Sequence, residues 1–292
     1  MKSLSLARIL ALTAATLLST TASASAEHYL VYLVGGQSNA NGRGDASQLT
    51  GALAAPQKDV RFYWHRTQPT KNVGHLTENQ WIDLAPGSGH GQTDPVYPKE
   101  FGPEVSFGRA LADAHTNAKI ALIKYSVGGS NLYKQWAADG ALYKNFTNTV
   151  HAALAALTKA GDTYELRGMI WQQGENDAAS PKFAAAYQMN LTHLIERVRK
   201  DLFARKVLPF SVGGLSDSQN ATVKTPGTGW HAVRQAQESV AKTISNVGFA
   251  NSDGFSTRTG EAIHFNHVGQ VALGKAHAAE ILRLEAKAAE SK

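Results

Sequence analysis

Short apolar runs alternate with longer amphipathic stretches along most of this 292-residue chain. Runs that are apolar over most of their length are typical of strands buried on both faces of a sheet. Five such runs occur, at 29–34, 119–125, 166–171, 208–212 and, more weakly, 247–250. Because strands that alternate with helices form parallel sheets covered on both faces, we expect a doubly wound α/β domain with about five strands.

Helices are predicted between these strands. Apolar residues at spacings of three and four between positions 142 and 157 mark one face of a helix. Pro103 and Pro181 each stand where a helix would open, and a terminal helix is predicted from Val268 onward. Ligands of such sheets bind beyond the carboxyl ends of the strands, so functional residues are expected directly after strands.

The segment from about 41 to 102 departs from this alternation. It is rich in Gly, Pro, His and Trp, and only 60–64 has the pattern of a strand. Long irregular insertions in compact domains are usually functional or disordered. Trp64 and Trp81 favour an ordered lid or substrate wall over a purely structural Ω-loop.

The N-terminus has the pattern of a secretory signal peptide. Lys2 and Arg8 precede a short apolar run at 9–18, and Ala24-Ser-Ala26 resembles a cleavage site. The run is too short to span a membrane. We therefore predict a signal peptide at 1–26 and a single exported domain at 27–292, secreted or periplasmic.

Composition narrows the possible partners and compartments. Without Lys2 and Arg8 the chain has 27 basic and 23 acidic residues, a net charge of +4, with no Lys/Arg cluster. This balance predicts no nucleic-acid or membrane partner. The chain has no cysteine, which favours bacterial export over a eukaryotic secretory route.

A candidate nucleophile and a candidate base follow predicted strands or lie in the last loop. Ser38 comes directly after the first strand, and a serine hydroxyl attacks well only when a positioned base removes its proton. Glu261 and His264 are three residues apart, which on a helical turn places both side chains on one face. The carboxylate would then hold the imidazole ring while its other nitrogen faces the serine.

Donors for a developing oxyanion are available in the same set of loops. The candidates are the backbone N–H groups of Ser38 and of the Gly128–Gly129 turn, with the side-chain amide of Asn176 or Gln173. Each feature also has a structural interpretation: a serine caps or turns the chain, a glycine pair forms a tight turn, and an asparagine starts a helix. An exposed Glu–His pair has little energetic effect. The functional interpretation is favoured because one pocket would collect all of these segments.

Five motifs, in chain order, resemble a known family. They are Gly36-Gln-Ser-Asn-Ala, Gly102-Pro-Glu-Val-Ser-Phe-Gly108, Lys124-Tyr-Ser-Val-Gly-Gly-Ser-Asn-Leu132, Trp171-Gln-Gln-Gly-Glu-Asn-Asp177 and Ile263-His-Phe265. Together they are similar to the sialate O-acetylesterase-type domain of the SGNH hydrolase superfamily, a group that includes the acetylxylan esterases of carbohydrate esterase family 6. The resemblance extends over most of residues 29 to 285.

The resemblance implies a flavodoxin-like three-layer α/β/α fold, no cofactor, and removal of O-acetyl groups from carbohydrates through an acetyl-serine intermediate. By position, it implies that Ser38 is the nucleophile, His264 the base and Glu261 the acid. It also implies that Gly128 or Gly129 donates to the oxyanion. The remaining donor is Asn176 by the superfamily pattern and Gln173 by the acetylesterase pattern, and this sequence satisfies both.

One position departs from the family pattern, because the acid is usually Asp and Glu261 stands there. Asp253 is the alternative acid, and His267 is the alternative base. A metal site at His264-x-x-His267 is disfavoured, since no third ligand and no His-Glu-x-x-His motif accompany it.

Two other functions fit the sequence less well. An α/β-hydrolase is disfavoured because Ala40 replaces the last glycine of its Gly-x-Ser-x-Gly motif. A non-catalytic carbohydrate-binding protein on the same fold is the alternative from another class, and the presence of both Ser38 and His264 favours the enzyme. The expected substrate is an acetylated oligo- or polysaccharide. Trp81 and Trp136 would either stack on a sugar or pack in the core.

Overall fold

The structure is a computed structural model that describes residues 26–64, 77, 79–88, 99–203 and 207–290. The predicted signal peptide therefore lies outside the described residues except for Ala26. Two parts of the irregular segment, 65–76 and 89–98, also lie outside them, together with residue 78.

Strands were predicted from apolar runs, and each of the five runs forms a strand. The strands in chain order are β1 (His28–Gly36), β2 (Gly44–Asp45), β3 (Gln57–Trp64), β4 (Ile82–Leu84), β5 (Glu100–Phe101), β6 (Lys119–Ser126), β7 (Thr163–Gln172), β8 (Phe210–Gly213), β9 (Val247–Ala250), β10 (Thr257–Arg258) and β11 (Glu261–Phe265).

The four predicted helices are present in order, and the described residues form three others that were not predicted. In chain order the helices are α1 (Ser38–Asn41), α2 (Glu104–Ala114), α3 (Ala141–Lys159), α4 (Glu175–Ala178), α5 (Pro181–Leu202), α6 (Gly229–Thr243) and α7 (His267–Glu290). The three that were not predicted are α1, α4 and α6. Pro181 occupies the first turn of α5, as expected from its fixed backbone angle. Of the helices in the described part of the chain, none combines the length and the apolar character needed to cross a bilayer.

The central sheet has seven strands in the order β4-β3-β6-β1-β7-β8-β9. All neighbouring pairs are parallel except β3 and β4 at one edge, which pair antiparallel. The expectation of about five strands was too low, because the irregular segment contributes β3 and β4. Strand β3 includes the 60–64 run, and β4 is only three residues long, too short for an alternation signal.

Helices cover both faces of this sheet, which confirms the three-layer α/β/α architecture. Residues of β1 alternate between the two cores: Val31 and Leu33 pack with α3, α5 and α6, whereas Tyr32 and Val34 pack with α2 and α7. Because β1 is buried on both faces and paired on both edges, its carboxyl end is held firmly near the middle of the molecule.

Candidate active site

Ser38 lies immediately beyond the carboxyl end of β1, as the first residue of the four-residue helix α1. The turn requires glycine at position 36, where φ is +140° and a Cβ atom would lie 2.1 Å from the Gln172 carbonyl oxygen. The backbone N–H of Gln37 donates to that same carbonyl at 3.0 Å. The close approach of β1 and β7 thus fixes the backbone that carries Ser38, whose side chain is buried except for a small exposed fraction.

The loops after β1, β6 and β7 meet at this point. Val127 N–H donates to the Gly36 carbonyl at 3.1 Å. The Asn176 side chain donates to the Gly129 carbonyl at 2.6 Å, and its backbone N–H lies 3.4 Å from Gln37 Oε1. Three of the predicted segments are therefore brought together, as expected for the carboxyl ends of neighbouring parallel strands.

Asn176 and Gln173 have different surroundings, although the sequence patterns left both open as oxyanion donors. The Gln173 amide nitrogen is fully buried and donates to Asp177 at 2.6 Å, to the Ser130 carbonyl at 3.1 Å and to Gln37 at 3.2 Å. Three acceptors share its two hydrogens, so none is left for a ligand. The Asn176 amide is partly exposed, and its second hydrogen has no partner among the described residues.

Gly128 and Gly129 form the turn after β6, as predicted. Gly129 has φ of +66°, and nothing lies within 4 Å of a Cβ atom built there, so this face of the turn is open. The backbone N–H groups of both glycines, and of Ser38, donate to no acceptor in the described part of the chain. All three remain available to a ligand oxygen.

Glu261 and His264 contact each other, with Glu261 Oε1 hydrogen-bonded to His264 Nδ1. Burial lowers the pKa of His264, and the positive charges of Arg43 and Arg258 act in the same direction. The carboxylate of Glu261 opposes them and favours the imidazolium. A histidine in this setting is neutral over most of the physiological pH range.

The predicted helical turn at 261–264 is wrong, because both residues lie in β11. Side chains three apart on a regular strand point to opposite faces. Here, however, Thr257 and Arg258, which are adjacent in β10, pair with Phe265 and Glu261 of β11. Residues 262–264 of β11 are therefore not paired with β10. This irregularity brings the Glu261 and His264 side chains together without a helix.

Asn39 connects the Ser38 helix to the His264 strand. Its amide nitrogen donates to the Ile263 carbonyl at 3.0 Å, and its amide oxygen accepts from the Phe265 N–H at 3.1 Å. One side chain therefore holds the backbone on both sides of His264, and that side chain belongs to the residue next to Ser38. The segments that carry the candidate nucleophile and base are therefore joined by hydrogen bonds.

A buried carboxyl group supports this connection. Glu175 Oε1 accepts from the Asn39 amide at 2.6 Å and from the Gln219 amide at 3.3 Å. Gln219 also donates to the Ile263 carbonyl at 2.7 Å. Burial raises the pKa of Glu175. We call Asn39, Glu175 and Gln219 the amide clamp.

A second buried pair holds the other end of α1. Lys124 and Glu104 are both fully buried, with 2.7 Å between Nζ and Oε2. Lys124 also donates to the Asn41 carbonyl at 2.6 Å, and Glu104 accepts from the Gly102 N–H at 2.9 Å. Burial lowers the pKa of Lys124. The second and third sequence motifs therefore act on the Ser38 helix through this ion pair.

The alternative acid and base lie in other surroundings. Both carboxylate oxygens of Asp253 bind Arg234, at 2.9 and 3.0 Å. His267 is the first residue of α7 and lines a polar cavity with Arg43 and Arg258, and its ring makes no hydrogen bond to the described residues. Among the described residues, Glu261 and His264 form a hydrogen-bonded carboxylate–imidazole pair, whereas neither Asp253 nor His267 takes part in such a hydrogen bond.

The two tryptophans considered for sugar stacking pack instead against the protein. Trp136 is fully buried, its ring lies 4.9 Å from that of Trp171, and its Nε1 donates to Ser130. Trp81 Nε1 donates to the Ala153 carbonyl of α3 at 2.9 Å. Within the described residues, no group of three or more His, Asp or Glu side chains is arranged to hold a metal ion.

Sequence reasoning missed the amide clamp. Asn39 follows a candidate nucleophile and resembles an ordinary turn residue, and Gln219 has no recognisable motif. Glu175 stood inside a quoted motif without a role. Its position three residues after the apolar strand β7 was a signal, because functional residues of parallel sheets collect beyond the carboxyl ends of the strands.

Comparison with known proteins gives a family match over most of the chain. The family model described as carbohydrate esterase, sialic acid-specific acetylesterase matches residues 28–283. A probable carbohydrate esterase of Arabidopsis thaliana is 24% identical over 251 residues, which are 84% of this chain and 86% of that protein. The family match confirms the resemblance that the five motifs indicated.

Solved structures share the fold. The crystal structure of NanS superposes with a TM-score of 0.67 at 17% identity, covering 90% of this chain and 99% of that one. A carbohydrate acetylesterase from Xanthomonas citri gives a TM-score of 0.60 at 21% identity, covering 88% of this chain and 56% of that longer one. At such identities the likeness is one of fold.

Proposed function

This chain belongs to the carbohydrate esterases of the sialic acid-specific acetylesterase family, and from that premise we propose that it removes O-acetyl groups from carbohydrates through an acetyl-Ser38 intermediate. The observation that carries the proposal is the pair of hydrogen bonds between the Asn39 side chain, which donates one and accepts the other, and the backbone on both sides of His264. They bring an imidazole, already paired with a carboxylate, to the residue next to a serine at the end of a strand.

In the first half of the reaction, Ser38 Oγ attacks the acetyl carbonyl carbon while His264 takes the hydroxyl proton. Glu261 holds the ring through Nδ1 and stabilises the imidazolium that forms. The tetrahedral oxyanion accepts hydrogen bonds from the N–H of Ser38 and from the Gly128–Gly129 turn. Asn176 supplies a side-chain donor, while Gln173 holds the loops in place.

The tetrahedral intermediate then collapses to acetyl-Ser38, and the sugar oxygen leaves with the proton from His264. Water then enters, gives a proton to the same imidazole, and attacks the acetyl group on Ser38. The serine leaves with its proton restored, and acetate is released. The cycle needs neutral His264 at its start, which the lowered pKa of this residue favours.

Export is a separate part of the proposal. The positive residues, short apolar run and Ala24-Ser-Ala26 site support removal of 1–26 and a secreted or periplasmic enzyme. An exported esterase would meet acetylated oligo- or polysaccharides, among them acetylxylan. The small residues around Ser38 favour short acyl groups.

The experiment is acetate release from a panel of acetylated glycans, with wild type beside Ser38→Ala. We expect wild type to release acetate from at least one glycan and from p-nitrophenyl acetate, and Ser38→Ala to release almost none. Binding of acetylated glycan by wild type without turnover would support a carbohydrate-binding protein instead. Full activity of Ser38→Ala would remove the nucleophile assignment.

A further inference from the structure

A polar cavity lies between the two segments that carry the proposed catalytic residues. One wall follows α1, the helix of Ser38, and the other is formed on both sides of β11, the strand of Glu261 and His264. The walls are formed by Arg43, Asp45 and Gln48 on one side and by Arg258, Thr259, Asn266 and His267 on the other.

This cavity adjoins the acid of the proposed triad. Arg258 Nη1 lies 3.9 Å from Glu261 Oε2, so one wall of the cavity contacts the residue that holds His264. Arg43 is only two residues beyond the end of α1. The cavity therefore adjoins the segment that carries Glu261 and His264, and its opposite wall begins two residues beyond the helix of Ser38.

The chemistry of the walls favours a neutral ligand. Every lining residue is polar or charged, and none is aliphatic. Arg43 and Arg258 both contact the fully buried carboxylate of Glu100, at 3.1 and 3.5 Å, and Asp45 adds a second carboxylate. Because these carboxylates offset the charges of Arg43 and Arg258, the cavity attracts an anion less than two unpaired arginines would. Mixed donors and acceptors match hydroxyl groups.

The size of the cavity favours one ring. Its volume is about 220 Å³, below the range of roughly 300–1,000 Å³ that encloses a drug-sized ligand. A single sugar ring would fill it, whereas several rings of a chain would extend outside.

We propose that this cavity binds one neutral, hydroxyl-rich sugar ring of the substrate while the acetyl group of that substrate lies at Ser38. The inference rests on the proposed function and adds a substrate class, neutral acetylated sugars, with the residues that select it. His267 and Gln48 are the side chains free to reorganise around the ring, because His267 makes no hydrogen bond to described residues and Gln48 makes only long contacts with Asp45 and Ser47.

The test measures a selectivity ratio, which is kcat/KM for a monoacetylated neutral methyl pyranoside divided by kcat/KM for p-nitrophenyl acetate. Gln48→Ala and His267→Ala should each lower this ratio several-fold to about tenfold, mainly through a higher KM for the sugar. Gln235→Ala is the matched control, because Gln235 is also exposed and lines a different surface cavity. It should leave the ratio unchanged.

Binding gives a second readout in a Ser38→Ala background, where turnover is blocked. Titration with the same acetylated pyranoside should show weaker binding when Gln48→Ala is added and no change when Gln235→Ala is added. Equal ratios in wild type and both cavity variants would overturn the assignment of this cavity. A preference of the wild type for O-acetylated sialic acid over the neutral sugar would overturn the proposal that the cavity selects neutral sugars.

Hydrolysis of p-nitrophenyl acetate without hydrolysis of any acetylated sugar would overturn the proposed function, and the cavity assignment with it. That outcome differs from failure of the cavity alone, in which wild type cleaves neutral acetylated sugars and the cavity variants do so equally well.

Discussion

Ser38 follows the central strand of a seven-stranded sheet, whereas His264 lies on a two-stranded hairpin outside that sheet. Ser38 is positioned by backbone hydrogen bonds, because the preceding strand β1 is paired on both edges and buried on both faces. The hairpin that carries His264 is instead held by side chains, those of the amide clamp: Asn39, Glu175 and Gln219.

This difference determines how each side can be damaged. Backbone pairing is spread over many residues, so no single surface substitution should displace Ser38. Two amide side chains hold the hairpin carbonyl next to His264, so one substitution there can move the base without unfolding the protein. A displacement of about 1 Å at a catalytic group can cost on the order of a hundredfold in rate.

The largest expected effect is on stability, on the Ser38 side. Glu104→Ala leaves buried Lys124 without its carboxylate partner, which should lower the free energy of unfolding by about 3–5 kcal/mol. Urea denaturation measures this change. The control is Asp59→Ala, which removes a half-exposed carboxylate from Arg109 and should cost about 1 kcal/mol or less. Equal costs would contradict a structural role for the buried pair.

The next largest effect concerns the side chain that donates a hydrogen bond to the oxyanion. Asn176→Ala should lower kcat by about a hundredfold to a thousandfold, because it removes a donor to the developing oxyanion. The unfolding free energy should change little, since the amide is partly exposed. Gln173→Ala should instead lower stability, because its fully buried amide holds three groups. A loss of kcat in Gln173→Ala and a loss of stability in Asn176→Ala would instead make Gln173 the oxyanion donor and Asn176 the structural residue.

Loss of the amide clamp should reduce catalysis by about a hundredfold. Asn39→Ala removes both bonds to the backbone beside His264, and steady-state kinetics should show the loss mainly in kcat. Asn145→Ala is the control, because this partly exposed asparagine lies on α3 and its side chain makes no hydrogen bond to described residues. A kcat of Asn39→Ala equal to that of the wild type would mean that the hairpin keeps His264 in place without the clamp.

The smallest effect is a pH dependence that arises in the clamp. Burial raises the pKa of Glu175, so the folded protein keeps this proton to a higher pH than the unfolded chain does. The resulting stability is present below the unfolded pKa and is lost as pH rises through the folded pKa. Glu175→Gln should abolish the loss of unfolding free energy that this group causes as the pH rises above 4.5, its ordinary pKa.

Denaturation of wild type and Glu175→Gln across this range measures the difference. Asp177, whose pKa burial also raises, is present in both proteins. A difference that does not vary with pH would show that Glu175 has the same pKa folded and unfolded.

The sheet side could be predicted from the sequence, and the hairpin side only in part. Parallel strands buried on both faces appear as continuous apolar runs, so β1, β6, β7 and β8 were evident, and with them the place of Ser38. In β11, by contrast, most residues are exposed or half-buried, and the five-residue strand has an irregular register. Its residue spacing suggested a helix.

The clamp was beyond prediction for a different reason. Asn39 and Glu175 are separated by 136 residues, and Asn39 and Ile263 by 224. Amide side chains are common in loops and carry no periodic signal, so only the folded chain reveals which of them meet. Glu261 and His264 were paired correctly because they are close in sequence, although the assumed local geometry was wrong.

The most direct test of the central claim is labelling with a serine-reactive organophosphonate, followed by peptide mass spectrometry. Wild type should carry a single stoichiometric adduct on Ser38, formed at a rate that falls at least a hundredfold in His264→Ala and far less in His267→Ala. An adduct on another serine, or labelling of Ser38 at the same rate without His264, would contradict the account.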